Sequence, residues 1–65
     1  MPIVTVSGPQ LSVEKKRKMA EGLTEVAAEV YGRPPEQIIV IITENPPENV
    51  AIGGRLVADR EGGGT

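Results

Sequence analysis

The sequence predicts an α+β fold: a β-α-β subunit with parallel strands and one helix, closed by a C-terminal β-hairpin. Three observations lead there. Ile3-Val4-Thr5-Val6 is a β-branched run near the front, residues 13–31 carry apolar side chains at helical spacing, and Ile38-Ile39-Val40-Ile41-Ile42 is apolar without alternation. Two strands joined by one long helical crossover form a parallel, right-handed unit.

Each element has a local cause. Pro2 lacks a backbone donor, and a sheet accepts proline at a strand's first residue, so the first strand starts beside it. Ser7-Gly8-Pro9-Gln10 reads as a loop. Ser12 suits a helix N-cap, and Glu14 places a negative charge in the first turn, where the helix dipole favours it. Met19, Ala20, Leu23, Val26, Ala27 and Val30 form the expected apolar stripe, interrupted by Gly22, which is read as a close approach of helix to sheet. Gly32 and Pro34-Pro35 end the helix. The second strand, Ile38–Ile42, is apolar on both faces, yet one helix covers only one of them. Val50-Ala51-Ile52 and Arg55-Leu56-Val57 flank Gly53-Gly54 as a short hairpin. Residues 59–65 are polar and glycine-rich and read as a mobile tail of a single domain spanning residues 1–65.

Composition narrows the function. The chain has 65 residues, a length at which a domain is marginal alone and draws support from disulfides, metals or partner subunits. It has no cysteine and no histidine, so thiol chemistry is excluded and the commonest transition-metal ligands are missing. Oligomerisation is the remaining support, and the bare strand face offers the surface for it. A net charge of −2 and a single aromatic, Tyr31, argue against a nucleic-acid partner. No apolar run approaches the roughly 20 residues a membrane span needs, and no signal peptide is visible, so a cytoplasmic location is expected. Without histidine or cysteine, a base acting near neutrality must be a shifted carboxylate, a shifted lysine or an α-amino group. The α-amino group starts nearest, at about 7.7–8.0, and apolar surroundings push it lower.

Four pieces in this order carry a family resemblance: Pro2-Ile3 after methionine; Ser12 with Glu14 and Lys16; Val40-Ile41-Ile42-Thr43-Glu44; and Ile52-Gly53-Gly54 with Leu56. Together they resemble the 4-oxalocrotonate tautomerase family over nearly the whole chain. The resemblance implies the tautomerase fold and a homohexamer built from three pairs of subunits. It implies removal of Met1 and use of the amino-terminal Pro2 as general base. The reaction implied interconverts enol and keto forms of a small unsaturated 2-keto acid, with no cofactor and no metal. The family's arginine before the helix falls at Leu11, or at Gln10 with the loop shifted, and its arginine in the second strand falls at Ile39. Its apolar aromatic before the hairpin glycines falls at Val50, and the first glycine of that run is Ala51.

Other residues must then hold an acidic substrate. Arg33, at the helix exit, and Arg55, after the hairpin glycines, are the candidates, because a guanidinium fork binds both carboxylate oxygens; Arg60 is a third choice. Ile39, Val50 and Ile52 are expected to line the pocket, with Gln37 and Asn45 as its polar neighbours. Intersubunit ion pairing is the competing role for Arg33 and Arg55. Lys15-Lys16-Arg17-Lys18 points around the whole helix and reads as a solvated face, with Glu14–Lys18 and Arg17–Glu21 at supporting spacing. Two other functions share these residues: a Pro2-dependent hydratase or decarboxylase, and a non-catalytic oligomeric module of the same fold.

Overall fold

The computed structural model describes residues 1–60. Strand β1 spans Ile3–Gly8, helix α1 Val13–Tyr31 and strand β2 Ile39–Glu44. The strands pair in parallel with Ile3 beside Ile39 and Gly8 beside Glu44. Strands β3, Ala51–Ile52, and β4, Arg55–Leu56, form a separate antiparallel hairpin. Short 3₁₀ turns occupy Pro35–Gln37, Pro47–Asn49 and Val57–Arg60. Asp59 and Arg60 therefore belong to an ordered turn rather than to the polar tail expected from residue 59. Residues 61–65 of that tail lie outside the described residues.

The helix has the expected bounds because both ends are capped. Ser12 Oγ accepts from Lys15 N at 3.2 Å. Gly32 turns left-handed at φ 68°, and Arg33 N reaches back to Ala28 O at 3.0 Å. Both strands run two residues past the apolar segments, through Ser7-Gly8 and Thr43-Glu44. The ladder extends because backbone groups pair regardless of side-chain polarity.

Strand side chains alternate between exposed and half-buried along both strands. Val4, Val6, Val40 and Ile42 face the helix; Ile3, Ile39 and Ile41 are 57%, 36% and 47% exposed on the other face. The unpartnered apolar face expected from the sequence is thus present. Only Ala27 and Ile38 fall in the buried class among the described residues. The radius of gyration is 15.3 Å, against about 10–11 Å for a compact chain of this length. The subunit is an open slab of 44 × 24 × 13 Å rather than a closed globule.

Two expectations about the helix need correction. Val26 and Val30 are 60% and 76% exposed, while the half-buried stripe runs through Lys16, Met19, Ala20, Leu23, Thr24, Ala27 and Ala28. A sheet of two six-residue strands is too narrow and short to cover Val26 on the helix flank or Val30 in the last turn. Gly22 makes no close approach to the sheet: it is exposed, and a Cβ placed on it would have nothing within 4 Å.

Candidate active site

Parallel pairing puts the starts of β1 and β2 at one end of the sheet and their finishes at the other. Pro2 stands at the starting end. It is half-buried, and its carbonyl accepts from Ile39 N at 3.0 Å. Ile38 beside it is buried, held by a bond from its amide to Pro35 O at 3.0 Å. The helix exit delivers Arg33 to this same end, where its Nη1 donates to Gln37 Oε1 at 3.3 Å. Arg33 is exposed and pairs with no carboxylate among the described residues. The starting end therefore offers a proline, the apolar side chains of Ile3 and Ile39, one arginine free for an anion, and the Gln37 amide.

The finishing end is built differently. Glu44 Oε2 accepts from Lys16 Nζ at 2.8 Å and from Leu11 N at 3.1 Å. Asn45 Nδ2 donates to Ser7 Oγ at 2.6 Å, and Asn45 N donates to Gly8 O at 2.8 Å. The Lys16 ammonium, and then the Leu11 amide, hold the Glu44 carboxyl below its ordinary value; partial burial pulls the other way. The expected Glu14–Lys18 and Arg17–Glu21 pairs are absent among the described residues, where Lys16–Glu44 is the ion pair that forms. Lys16 and Glu44 both occupy inward positions, Lys16 on the helix stripe and Glu44 in step with Val40 and Ile42. Opposite charges at inward positions of neighbouring elements were the readable signal for this contact. Asn45 serves this end and is not a neighbour of Pro2.

The hairpin also belongs to the finishing end. Gly53 and Gly54 adopt φ 61° and 83°, the two successive positive values of a type I′ turn. Val50 O accepts from Val57 N at 2.7 Å, and Arg55 Nη2 donates to Asp59 O at 3.2 Å. Ile52 is 58% exposed. A cavity of about 350 Å³ opens between Val50, Val57, Pro46, Pro47 and the Gly8-Pro9 corner. Six strand residues span about 20 Å, so Val50, Ile52 and Arg55 are remote from Pro2 of their own chain. The structure thus gathers Pro2, Ile39 and Arg33 at one end and Val50, Ile52 and Arg55 at the other. Arg60 lies with the second group, in the turn after the hairpin. No helix among the described residues is long and apolar enough to cross a membrane.

Residues 2–60 match the family model described as tautomerase enzyme. A 2-hydroxymuconate tautomerase of Bacillus subtilis is 36% identical over 62 residues, covering 94% of this chain and 100% of that protein. The crystal structure of DmpI from Archaeoglobus fulgidus superposes with a TM-score of 0.82 at 52% identity, over 89% of this chain and all of that one. A heterohexamer 4-oxalocrotonate tautomerase from Chloroflexus aurantiacus aligns at 27% identity with a TM-score of 0.77, over 92% of this chain and 97% of that one.

Proposed function

The chain belongs to the tautomerase family, and from that premise we propose that it is a keto–enol tautomerase of small unsaturated 2-keto acids, with Pro2 as its general base. The observation that carries this reading is the position of Pro2: half-buried at the start of β1, beside apolar Ile38 and Ile39, in a chain with no histidine or cysteine. Removal of Met1 turns the Pro2 nitrogen from an amide into a secondary amine. Apolar surroundings disfavour the ammonium form, so the amine is neutral and basic near pH 7. It takes a proton from the carbon or oxygen of the dienol–ketone system and returns it at the other end, with no group transferred and no redox change. Arg33, free of carboxylates and steadied by Gln37, binds the substrate carboxylate and stabilises charge that develops on the neighbouring oxygen.

The assembly is a homohexamer in which the bare face of β1 and β2 is covered by neighbouring subunits. Packing of that kind also allows the hairpin of one copy, with Val50, Ile52 and Arg55, to meet the proline end of another. An exposed two-residue-per-strand hairpin that packs mainly on its own flanking turns is otherwise marginal in water.

The test compares two preparations whose N-termini have been identified by intact mass. Protein with a free Pro2 is expected to isomerise a simple enol such as phenylenolpyruvate. Protein that retains Met1 is expected to be inactive, because no other side chain supplies a neutral base. Equal rates from both would remove Pro2 from the mechanism and leave the non-catalytic oligomeric module as the better description.

A further inference from the structure

The two faces of the sheet differ in charge where they meet at the starting end. Away from α1, the outward positions are Ile3, Thr5 and Ser7 on β1 and Ile39, Ile41 and Thr43 on β2. None of these side chains ionises near neutrality. Ile3 and Ile39 are register partners, 57% and 36% exposed, and Ile39 N donates to Pro2 O. The opposite face carries α1. Arg33 follows the end of that helix and reaches Gln37. Glu36, in the same turn as Gln37, is exposed and enters no ion pair among the described residues. Charged side chains at this end therefore lie on the helix side, and an apolar pair lies on the other, with Pro2 at the strand edge between them.

From this division we propose that the proline end selects enol acids with one carboxylate and an apolar tail over dicarboxylic ones, and that Ile39 sets the preference. The preference rests on the tautomerase reading above and narrows it to a substrate class. With its acid group on Arg33 and its reacting carbons at the Pro2 nitrogen, the substrate extends its remaining part over Ile3 and Ile39. A hydrocarbon or aromatic tail gains there by leaving water. A second carboxylate loses hydration there and finds no cation on either strand face, while Glu36 adds repulsion at the same end. In the assembly proposed above, a neighbour's hairpin brings Arg55, but its Nη2 bonds Asp59 O within that hairpin. Val50 and Ile52, which arrive with it, are apolar and extend the same surface.

The test is made on binding, so it does not depend on turnover. Protein with a free Pro2 is titrated calorimetrically with two unreactive acids of similar length. One is trans-cinnamate, with a single carboxylate and a phenyl ring; the other is trans,trans-muconate, with a carboxylate at each end. Cinnamate is expected to bind about ten- to a hundredfold more tightly, the scale of a missing charge-assisted hydrogen bond. Ile39→Arg should reverse the order by placing a guanidinium on the apolar side. Ile39→Ala, a milder change, should weaken cinnamate binding several-fold and leave muconate nearly unaffected. Sedimentation checks that each variant assembles like the parent, and where Ile39→Arg does not, the Ile39→Ala titrations decide. Arg55→Ala should leave the ratio of the two affinities unchanged. The preference is overturned by absent cinnamate binding, by muconate binding as tightly as cinnamate, by a ratio that Ile39→Ala does not move, or by a loss of muconate binding alone in Arg55→Ala. Muconate preferred by a protein that isomerises phenylenolpyruvate sinks the preference and spares the tautomerase reading. Cinnamate preferred by a protein with no isomerase activity does the reverse.

Discussion

The two ends of the parallel sheet divide the work of the molecule unequally. At the finishing end, Glu44 and Asn45 tie strand, loop and helix together through a salt bridge and three hydrogen bonds. At the starting end the strands are joined by backbone; Arg33 bonds to Gln37, and Glu36 in the same turn is exposed and in no ion pair among the described residues. The difference has a chemical sense. Side-chain anchors that pin a fold with charge also set the titration of groups beside them, and a carboxylate next to an amine would favour its protonated form. Placing the charged clasp about 20 Å away leaves the proline end free of it. In the proposed mechanism, anchoring and basicity are kept apart by the length of one strand.

The strongest way to break this comparison is Pro2→Ala with Met1 removed. A primary amine replaces the secondary one, and the expected loss in kcat is on the scale of a general base, about 10²–10⁴-fold. The strand start keeps its carbonyl bond to Ile39 N, so the thermal unfolding midpoint should stay near that of the parent. A large stability loss with it would make Pro2 an anchor and erase the distinction.

Arginine replacements sharpen the comparison next. Arg33→Ala should raise KM for a dicarboxylic enol about ten- to a hundredfold, the range of a lost charge-assisted hydrogen bond, with a smaller change in kcat. Arg55→Ala, at the other end of its own subunit, has the same effect only where a neighbour's hairpin completes the site. Steady-state kinetics on both variants therefore ask whether the two ends meet between copies. A parent-like KM for Arg55→Ala assigns that arginine to the hairpin turn alone.

Glu44→Gln should do the converse of Pro2→Ala, lowering the urea midpoint while leaving kcat of the assembled protein unchanged. The smallest effect is in pH. Because the folded-state pKa of Glu44 lies below its unfolded value, its contribution is present above the ordinary carboxylate range, about 4.3, and is lost as pH falls through the lowered folded value. Acid titration of the unfolding midpoint should thus bring the parent and Glu44→Gln curves together below that range. Curves that stay parallel would place the acid sensitivity elsewhere.

Much of this arrangement was legible in the sequence where a local rule acts alone. Ser12 and Gly32 with Pro34 bound the helix, and β-branched runs mark both strands. The bare sheet face followed from counting apolar faces against helices. Legibility failed where a residue's role depends on how far a neighbour reaches. Val26 and Val30 are apolar at nearly helical spacing, yet the two-strand sheet stops short of them. Lys16 looked like part of a solvated charge run until Glu44 came alongside it. Asn45 follows the strand that carries Ile39, but strand direction puts it at the opposite end from Pro2. Sequence spacing names residues on an element; only direction and length say which end they occupy.

The open shape of the subunit has a further consequence. A slab 13 Å thick, in which Ala27 and Ile38 alone among the described residues are buried, has little core of its own. In the proposed assembly most apolar burial is between copies, so the free energy of folding includes a term in protein concentration. Dilution then acts on this chain as urea acts on a self-contained domain. The unfolding midpoint should climb with each tenfold rise in subunit concentration. How much of the protein is made would thus help determine how much of it is folded.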